Sequence, residues 1–197
     1  MGDRKKSELM SGLRKIDASK AYRILESGPI LLVSTHDGVH ANAMTMGFHM
    51  MIQHAPPLIG CIIGPWDHSF SVLQETGQCV LAVPGADLAR TVVDIGNCSG
   101  AEVDKFAQFE LATAKSSRIN APLLSDCLYN IECIVHDDTL VDRYQLFILE
   151  AVAIWVNDSR KERRFLHHHG DGTFTADGER LDLRDRMTLW KQFQVSL

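Results

Sequence analysis

The chain contains no uninterrupted apolar run that approaches the roughly 20 residues needed to span a bilayer. We therefore expect no membrane association. Its first segment, residues 1–16, is polar and basic and is not followed by the apolar stretch of a secretory signal. These two absences predict a cytoplasmic protein.

An excess of basic residues is also missing, since the formal net charge is −5. Nucleic-acid partners favour a basic face, so we expect no nucleic-acid partner. The five cysteines are an odd number with no C-x-x-C pair, which is typical of neither a disulfide framework nor a zinc knuckle. Cys61, Cys79 and Cys133 lie in apolar runs and are predicted to be small buried side chains. Cys98 lies in a loop of glycine, asparagine and serine, where it could face a ligand.

Three common catalytic or nucleotide-binding motifs are absent. The chain has no G-x-G-x-x-G for a dinucleotide fold, no phosphate-binding G-x-x-x-x-G-K-[ST], and no G-x-S-x-G of a serine hydrolase. What is present is 197 residues with 45% apolar side chains, enough for one domain with a substantial core.

Short apolar runs separated by turn residues predict a mainly β protein. Asp37-Gly38 is a strong hairpin signal, and Asp137-Asp138 should join the last two strands as an antiparallel pair. The predicted strands are Ile30–Thr35, Val39–Met46 continuing loosely to Ile52, Leu58–Ile63, Gln78–Val83, Leu128–His136 and Tyr144–Val156. Such strands with short helices between them favour an antiparallel barrel with helical insertions over a doubly wound sheet.

Helical spacing and capping residues predict several short helices. They are Ala18–Ser27 capped by Asp17, His68–Thr76 ended by Gly77, Ala86–Ile95, a turn at Asp104–Gln108, and an amphipathic helix around Asp185–Phe193. We accordingly divide the chain into an N-terminal extension (1–28), a barrel core (29–157) and a C-terminal tail (158–197) packed on the same domain.

Three polar segments lie between the apolar runs, and the first is Asn42, Ala43, Met44 and Thr45 at a strand end. A flat heterocyclic ligand needs small side chains nearby so that the backbone can approach it. Ala43 would allow that approach, while Asn42 and Thr45 could reach polar ligand atoms. The alternative is a barrel strand whose polar residues simply face outward.

The second segment comprises Gly64, Pro65, Trp66, Asp67, His68 and Ser69, at the start of a predicted helix. Free N–H groups at a helix start favour phosphate, and Ser69 and His68 could donate to it. The alternative is that Asp67 or Ser69 only caps the helix. The Asp67 carboxylate would repel a phosphate unless it points away.

The third segment runs from Cys98 to Phe106. Ser99 and Gly100 could offer backbone contacts to a flat ring, and Lys105 could place a cation either at the ring edge or at a phosphate. The alternative is structural, because Ser99 followed by Glu102 fits a capping box.

Two conspicuous charged or titratable runs remain. His167, His168 and His169 cannot all face one way in a strand, and no acidic or cysteine partner lies at zinc spacing, so we predict no metal site. A packed or solvated tail is favoured there, ahead of one histidine near a bound ligand. The run 160–164 is predicted to be a solvated helix face rather than a nucleic-acid patch.

The order and spacing of motifs from Pro29 to Val156 resemble the flavin reductase-like FMN-binding split-barrel family, which includes the flavoredoxins. The segments that carry the resemblance are Asp37-Gly38, Asn42–Thr45, Pro56-Pro57-Leu58, Glu75-Thr76-Gly77, Val83-Pro84, Ser99-Gly100, Asp104-Lys105-Phe106, Ala121-Pro122-Leu123 and Leu128–Glu132. The match fades beyond Val156. Relatives often carry an arginine or lysine shortly before the position of Ser69, where this chain has Pro65-Trp66-Asp67-His68.

The resemblance implies a Greek-key split β-barrel that binds FMN non-covalently as a homodimer, with the flavin near the subunit interface. It implies FMN contacts at Asn42, Ala43, Met44, Thr45, Gly64, Pro65, Trp66, His68, Ser69, Ser99, Gly100 and Lys105. The implied activity passes electrons from NADH or NADPH through FMN to an acceptor, and we assign no catalytic residue. The alternatives are a flavoredoxin-like electron carrier, served by a redox partner protein instead of a nicotinamide, and a flavin- or ligand-binding module without turnover.

Overall fold

A computed structural model describes residues 12–189 of the chain. Its strands are β1 (Leu13–Ile16), β2 (Leu31–His36), β3 (Ala41–Met46), β4 (His49–Gln53), β5 (Leu58–Ile62), β6 (Gln78–Val83), β7 (Thr113–Ala114), β8 (Leu123–Leu124), β9 (Tyr129–Asp137), β10 (Leu146–Asn157), β11 (Leu166–His168) and β12 (Phe174–Ala176). Its helices are α1 (Tyr22–Leu25), α2 (His68–Thr76), α3 (Ala89–Gly96), α4 (Lys105–Gln108) and α5 (Val141–Tyr144), with 3-10 turns at Ala18–Lys20, Ala86–Leu88 and Arg184–Arg186.

Eight strands form one sheet in the order β3-β2-β6-β9-β10-β5-β4, with β1 also paired to β10. The pairings between the described strands of this sheet are all antiparallel. The long strand β10 organises the sheet, because one of its edges pairs first with β5 and then with β1 while the other pairs with β9. The sheet curves into an incomplete barrel, as the sequence predicts.

Strands β2 and β6, in the middle of the sheet order, are buried on both faces, which explains their continuous apolar runs. Leu31 and Val33 of β2 belong to one core cluster, whereas Leu32 belongs to a second cluster beneath α3. Cys61, Cys79 and Cys133 are fully buried in the first cluster, which confirms the prediction for these three thiols. Among residues 12–189, no helix is both long and apolar enough to cross a membrane.

The predicted strand Val39–Met46 does not continue to Ile52. The chain turns at Gly47-Phe48 into a separate strand, β4, and β3 and β4 lie at opposite ends of the sheet order. The turn arises from distant pairing, since β3 pairs with β2 and β4 pairs with β5.

Three helix predictions need correction. Ala18–Ser27 is a 3-10 turn followed by the short α1, although Asp17 does cap it by accepting from the Ser19 N–H at 2.8 Å. Residues 160–164 are not helical, and Arg160 and Arg164 instead pair with Asp87 and Glu162. At the C-terminus, residues 184–186 form only a 3-10 turn and 187–189 are not helical, while the remainder of the predicted helix lies outside the described residues.

Candidate functional site

The three polar segments meet around one cavity of about 330 Å³. β3 forms one wall, the start of α2 a second, and the end of α3 with the following loop and the start of α4 a third. The lining residues are Asn42, Met44, Thr45, Trp66, Asp67, His68, Ile95, Gly96, Asn97, Cys98, Ser99, Gly100 and Lys105. Its volume falls in the range of small-molecule sites.

The structure separates the predicted contact residues into two groups. Asn42, Met44, Thr45, Trp66, His68, Ser99, Gly100 and Lys105 line the cavity, whereas Ala43, Gly64, Pro65 and Ser69 do not. The cavity wall also contains residues that the sequence did not single out, namely Ile95, Gly96 and Asn97. These three follow from the packing of α3 on β3, which no local motif reveals.

Asn42 is held by a buried hydroxyl pair. Its Nδ2 donates to the Oγ of Ser69 at 2.8 Å, and Ser69 Oγ lies 3.1 Å from Thr35 Oγ1. Ser69 is fully buried, so its hydroxyl orients the Asn42 amide instead of reaching the cavity. The amide oxygen of Asn42 is thereby turned toward the loop that carries Gly100.

Gly100 closes the cavity wall by an approach that only glycine permits. A Cβ at this position would lie 2.2 Å from Asn42 Oδ1 and 2.9 Å from His68 Cδ2. Real Cβ atoms do not come so close to other heavy atoms, so the loop, β3 and the start of α2 meet here because the side chain is absent. A ligand in the cavity would lie against this backbone.

β3 is joined to α3 on its other face. Thr45 Oγ1 donates to the carbonyl of Val92 at 2.6 Å, and a Cβ at Gly96 would contact Thr45 Cβ at 3.3 Å. Ala43 is fully buried in the second core cluster with Val92. The small size of Ala43 therefore serves the packing of the helix on the strand, not a direct approach to a ligand.

Lys105 provides the cation of the cavity. It is only 4% exposed, and its Nζ donates to the carbonyl of Ile95 at 2.9 Å, in the last turn of α3. A helix end carries unpaired carbonyls and partial negative charge, so a lysine stabilises it. Burial lowers the pKa of Lys105, while the neighbouring Cys98 and Asp67 act in the opposite direction.

Asp67, immediately before α2, places a negative charge near Lys105. Its Oδ2 accepts from the N–H of Gly64 at 3.1 Å, and its side chain makes no capping bond to α2. The Ser69 hydroxyl accepts a hydrogen bond from Asn42. Neither Asp67 nor Ser69 therefore caps α2, in contrast to the structural alternative. Asp67 lines the cavity, and its charge reduces the attraction that Lys105 offers to an anion.

The capping box predicted at Ser99 is not formed. Ser99 Oγ accepts from the N–H of Ala101 at 3.2 Å within a turn, and the residue that caps α4 is Asp104. Asp104 Oδ1 accepts from Phe106 N at 3.0 Å and from Ala107 N at 3.1 Å. Ser99 is therefore free of helix capping and lies on the cavity wall.

Trp66 stands at the cavity rim with 75% of its surface exposed. Its indole lies over Gly64, where a Cβ would be 2.3 Å from the ring. Gly64 therefore packs against the Trp66 ring and does not line the cavity.

A second cavity of about 580 Å³ adjoins the first and shares His68 and Gly100 with it. Its wall includes the carboxylates of Asp37, Glu102 and Asp104. No lysine or arginine is among the residues that line it. The first cavity therefore opens beside an acidic surface.

The three consecutive histidines lie away from both cavities, in the hairpin of β11 and β12. His167 Nε2 is 2.8 Å from Asp177 Oδ1, His168 stacks on Phe174 at 4.7 Å, and His169 Nε2 is 2.6 Å from Thr175 Oγ1. Within the described part of the chain, no three His, Cys, Asp or Glu side chains are grouped so as to hold a metal. The hairpin uses its histidines for packing and hydrogen bonds.

Solved structures of FMN-binding proteins have the same split-barrel fold as this sheet. An FMN-binding domain of a flavin reductase-like enzyme from Shewanella baltica superposes with a TM-score of 0.80 at 22% identity, covering 86% of this chain and 96% of that one. Flavoredoxin of Desulfovibrio vulgaris gives a TM-score of 0.71 at 22% identity, covering 79% and 89%. These likenesses confirm the predicted fold class.

The flavin reductase-like domain family matches residues 24–175, and the chain belongs to that family. Among curated sequences, an uncharacterized protein of Escherichia coli K12, YddH, is 24% identical and covers 87% of this chain and 98% of its own length. The family predicted from the motifs is thus confirmed.

Proposed function

We propose that the protein binds FMN non-covalently in the first cavity and acts as a flavin reductase-like oxidoreductase. The observation that carries this proposal is that Asn42 of the first polar segment, His68 of the second, and Gly100 and Lys105 of the third meet around one cavity of small-molecule size. Membership of the flavin reductase-like family supports the same ligand.

The residues present fit a flavin. The loop at Gly100 leaves its backbone accessible to a flat ring, Asn42 and Ser99 provide polar atoms, and Lys105 provides positive charge. Met44 and Ile95 add apolar surface to the same wall. Bound FMN would supply the redox chemistry, while the protein supplies binding, orientation and electrostatics.

We further propose a reduced nicotinamide, NADH or NADPH, as electron donor. The adjoining cavity offers access beside the first one through the shared His68 and Gly100. Hydride transfer from a nicotinamide to a flavin requires no protein acid or base, so the proposal assigns no catalytic residue.

The acidic lining of the adjoining cavity favours a second candidate, a flavoredoxin-like electron carrier. Asp37, Glu102 and Asp104 would repel the diphosphate of a nicotinamide dinucleotide. The same carboxylates would attract a basic redox partner protein. In this alternative the electrons come from that partner.

We also propose a homodimer. Phe48, Met50, Ile52 and Ile62 expose apolar side chains around the edge strand β4, and Phe48 is 73% exposed. A partner copy would cover this surface and the edge of β4 that pairs with no strand among residues 12–189. Trp155 is buried in the second core cluster and does not contribute to this surface, and Trp190 lies outside the described residues. Sedimentation would measure the assembly state.

The test of the activity is anaerobic spectroscopy of the FMN-loaded protein. Bleaching of the flavin absorbance by NADH or NADPH supports the reductase. Stable flavin absorbance with both nicotinamides, followed by reduction with a redox partner protein, supports the carrier. Binding of FMN without reduction by either route leaves a flavin-binding module, and failure to bind FMN rejects the whole proposal.

A further inference from the structure

A groove of about 590 Å³ lies where β9 begins and β10 ends, and it shares no residue with the two cavities described above. Tyr129, the first residue of β9, lines it together with Phe165. The two rings meet edge to face with centroids 5.9 Å apart. Both rings are half-buried, so part of each ring is exposed.

Four arginines also line the groove, and of these only Arg164 forms an ion pair with a carboxylate of residues 12–189. Arg164 is neutralised, because its guanidinium forms a forked pair with Glu162 and its hydrogen bonds lower the pKa of that carboxyl to about 2. Arg23, Arg163 and Arg180 form no ion pair with any carboxylate of residues 12–189. The groove therefore holds three guanidinium groups without a directly paired anion.

Arg163 is held in place by neutral partners. It donates to the carbonyl of Asn157 at 2.7 Å and to the hydroxyl of Tyr129 at 3.3 Å, and its guanidinium lies 5.6 Å from the Tyr129 ring centre. Arg23 is fixed in a similar way by Tyr22, to whose hydroxyl it donates at 2.9 Å. Such contacts orient a guanidinium without pairing it directly with a carboxylate. Asp158 and Asp182 lie near enough to Arg163 and Arg180, respectively, to interact electrostatically with them.

The nearby Asp177 does not neutralise these arginines directly. Its Oδ2 accepts from the N–H of Phe165 at 3.0 Å, and its Oδ1 lies 2.8 Å from His167 Nε2. Glu179 is the other carboxylate in the lining. Arginine prefers planar, two-pronged contacts with carboxylate or phosphate, and aromatic rings beside it favour a flat ligand.

We propose that this groove is a second ligand site, which binds a small aromatic molecule carrying a phosphate or carboxylate group. The phosphate or carboxylate lies against Arg163 and Arg180, and the ring of the ligand lies against Tyr129 and Phe165. The site is independent of the FMN proposal, since the two cavities use different residues.

Titrations of the ¹⁵N-labelled protein, followed by its amide NMR signals, test the site. AMP carries a phosphate, and adenosine is its counterpart without that group. 4-Hydroxybenzoate carries a carboxylate, and phenol is its counterpart without it. We expect at least one anionic probe to shift the amides of Phe165 and Gly178 while its neutral counterpart leaves them unchanged. The amide of Gly100 reports on the first cavity and should not move in parallel.

Arg180→Gln is the test variant, because Arg180 is exposed and can be changed without disturbing the core. Loss of one charged contact should weaken the binding anionic probe about tenfold. Arg118→Gln removes an exposed arginine outside the groove and should leave the affinity unchanged. No shift with either anionic probe, equal binding of the neutral counterparts, or equal affinity in Arg180→Gln and wild type would each overturn the proposal.

Discussion

The α-carbon of Gly100 lies so close to the side-chain amide of Asn42 that a methyl group there would be 2.2 Å from Asn42 Oδ1. Asn42 is itself fixed from behind by Ser69. This single approach joins β3, the start of α2 and the loop after α3, and it determines the shape of the cavity to which we assign FMN.

Replacing Gly100 with alanine should therefore damage the cavity. The added methyl group must displace Asn42 or His68, and overpacking of this kind costs about 1–3 kcal/mol. We expect FMN affinity to fall about tenfold or more, as measured by quenching of flavin fluorescence. Gly178→Ala is the matched control, since a Cβ added there would meet no other atom within 4 Å. An unchanged affinity in Gly100→Ala would remove Gly100 from the site.

The charges of Lys105 and Asp67 should affect FMN in opposite directions. Removing the Asp67 carboxylate in Asp67→Asn should strengthen FMN binding by about 1 kcal/mol, because Lys105 then meets the phosphate without a competing anion. Lys105→Gln should weaken it. Riboflavin lacks the phosphate, so its affinity should change much less than that of FMN in Asp67→Asn and in Lys105→Gln, as measured by parallel titrations. If riboflavin and FMN respond equally, the phosphate does not lie near this pair.

The pH dependence follows from the same lysine. Burial lowers the pKa of Lys105 below its ordinary 10.5, so its ammonium loses the proton earlier than an exposed lysine would as the pH rises. The attraction for phosphate is present below that lowered pKa and is lost above it. FMN affinity should therefore fall in the alkaline range below 10.5 in wild type, and this fall should be absent in Lys105→Gln.

Cys98 should be the reactive thiol of the folded protein. It is half-buried on the cavity wall, whereas Cys61, Cys79, Cys127 and Cys133 are buried. Burial also raises the pKa of Cys61, Cys127 and Cys133, which disfavours their reactive thiolates. A thiol reagent should label one site rapidly, FMN should slow that labelling, and Cys98→Ser should abolish the rapid phase. Rapid labelling that FMN does not affect would place Cys98 outside the flavin site.

A buried carboxylate stabilises the barrel away from the cavity. Glu132 is fully buried and accepts from the N–H of Ser117 at 2.8 Å, the N–H of Arg118 at 2.7 Å and the indole N–H of Trp155 at 2.6 Å. Glu132→Gln replaces one accepting oxygen by an N–H₂ group that faces at least one of these donors, so the free energy of unfolding should fall by about 2–3 kcal/mol in urea titrations. Glu75→Gln, at an exposed position of α2, should change it by less than about 0.5 kcal/mol. Equal stability of the two variants would contradict this role.

The parts of the fold that local chemistry determines were predictable from the sequence. Asp37 Oδ1 accepts from both Val39 N and His40 N, and Gly38 adopts a φ of 101°, so the turn between β2 and β3 is encoded in its own residues. Gly77 ends α2 in the left-handed conformation that such a stop requires. These features needed no knowledge of distant contacts.

The remainder depends on contacts between distant segments. The break at Gly47-Phe48 interrupts a pattern that is suitable for one strand, and only the pairing of β4 with β5 determines it. Lys105 was predicted as a ligand contact, but its bond to Ile95 depends on how α3 packs against the sheet. For the same reason the motif residues Ala43 and Ser69 lie behind the cavity wall, while Asn97 lies on it.

Equilibrium binding of FMN to the purified protein tests the central claim most directly. The exposed Trp66 lies at the cavity rim, so tryptophan quenching and the change in flavin absorbance should report the same binding event. We predict saturable binding of one FMN per chain, with Gly100→Ala markedly weaker and Gly178→Ala equal to wild type. Absence of bound flavin after purification, together with no saturable binding of added FMN, would contradict the account.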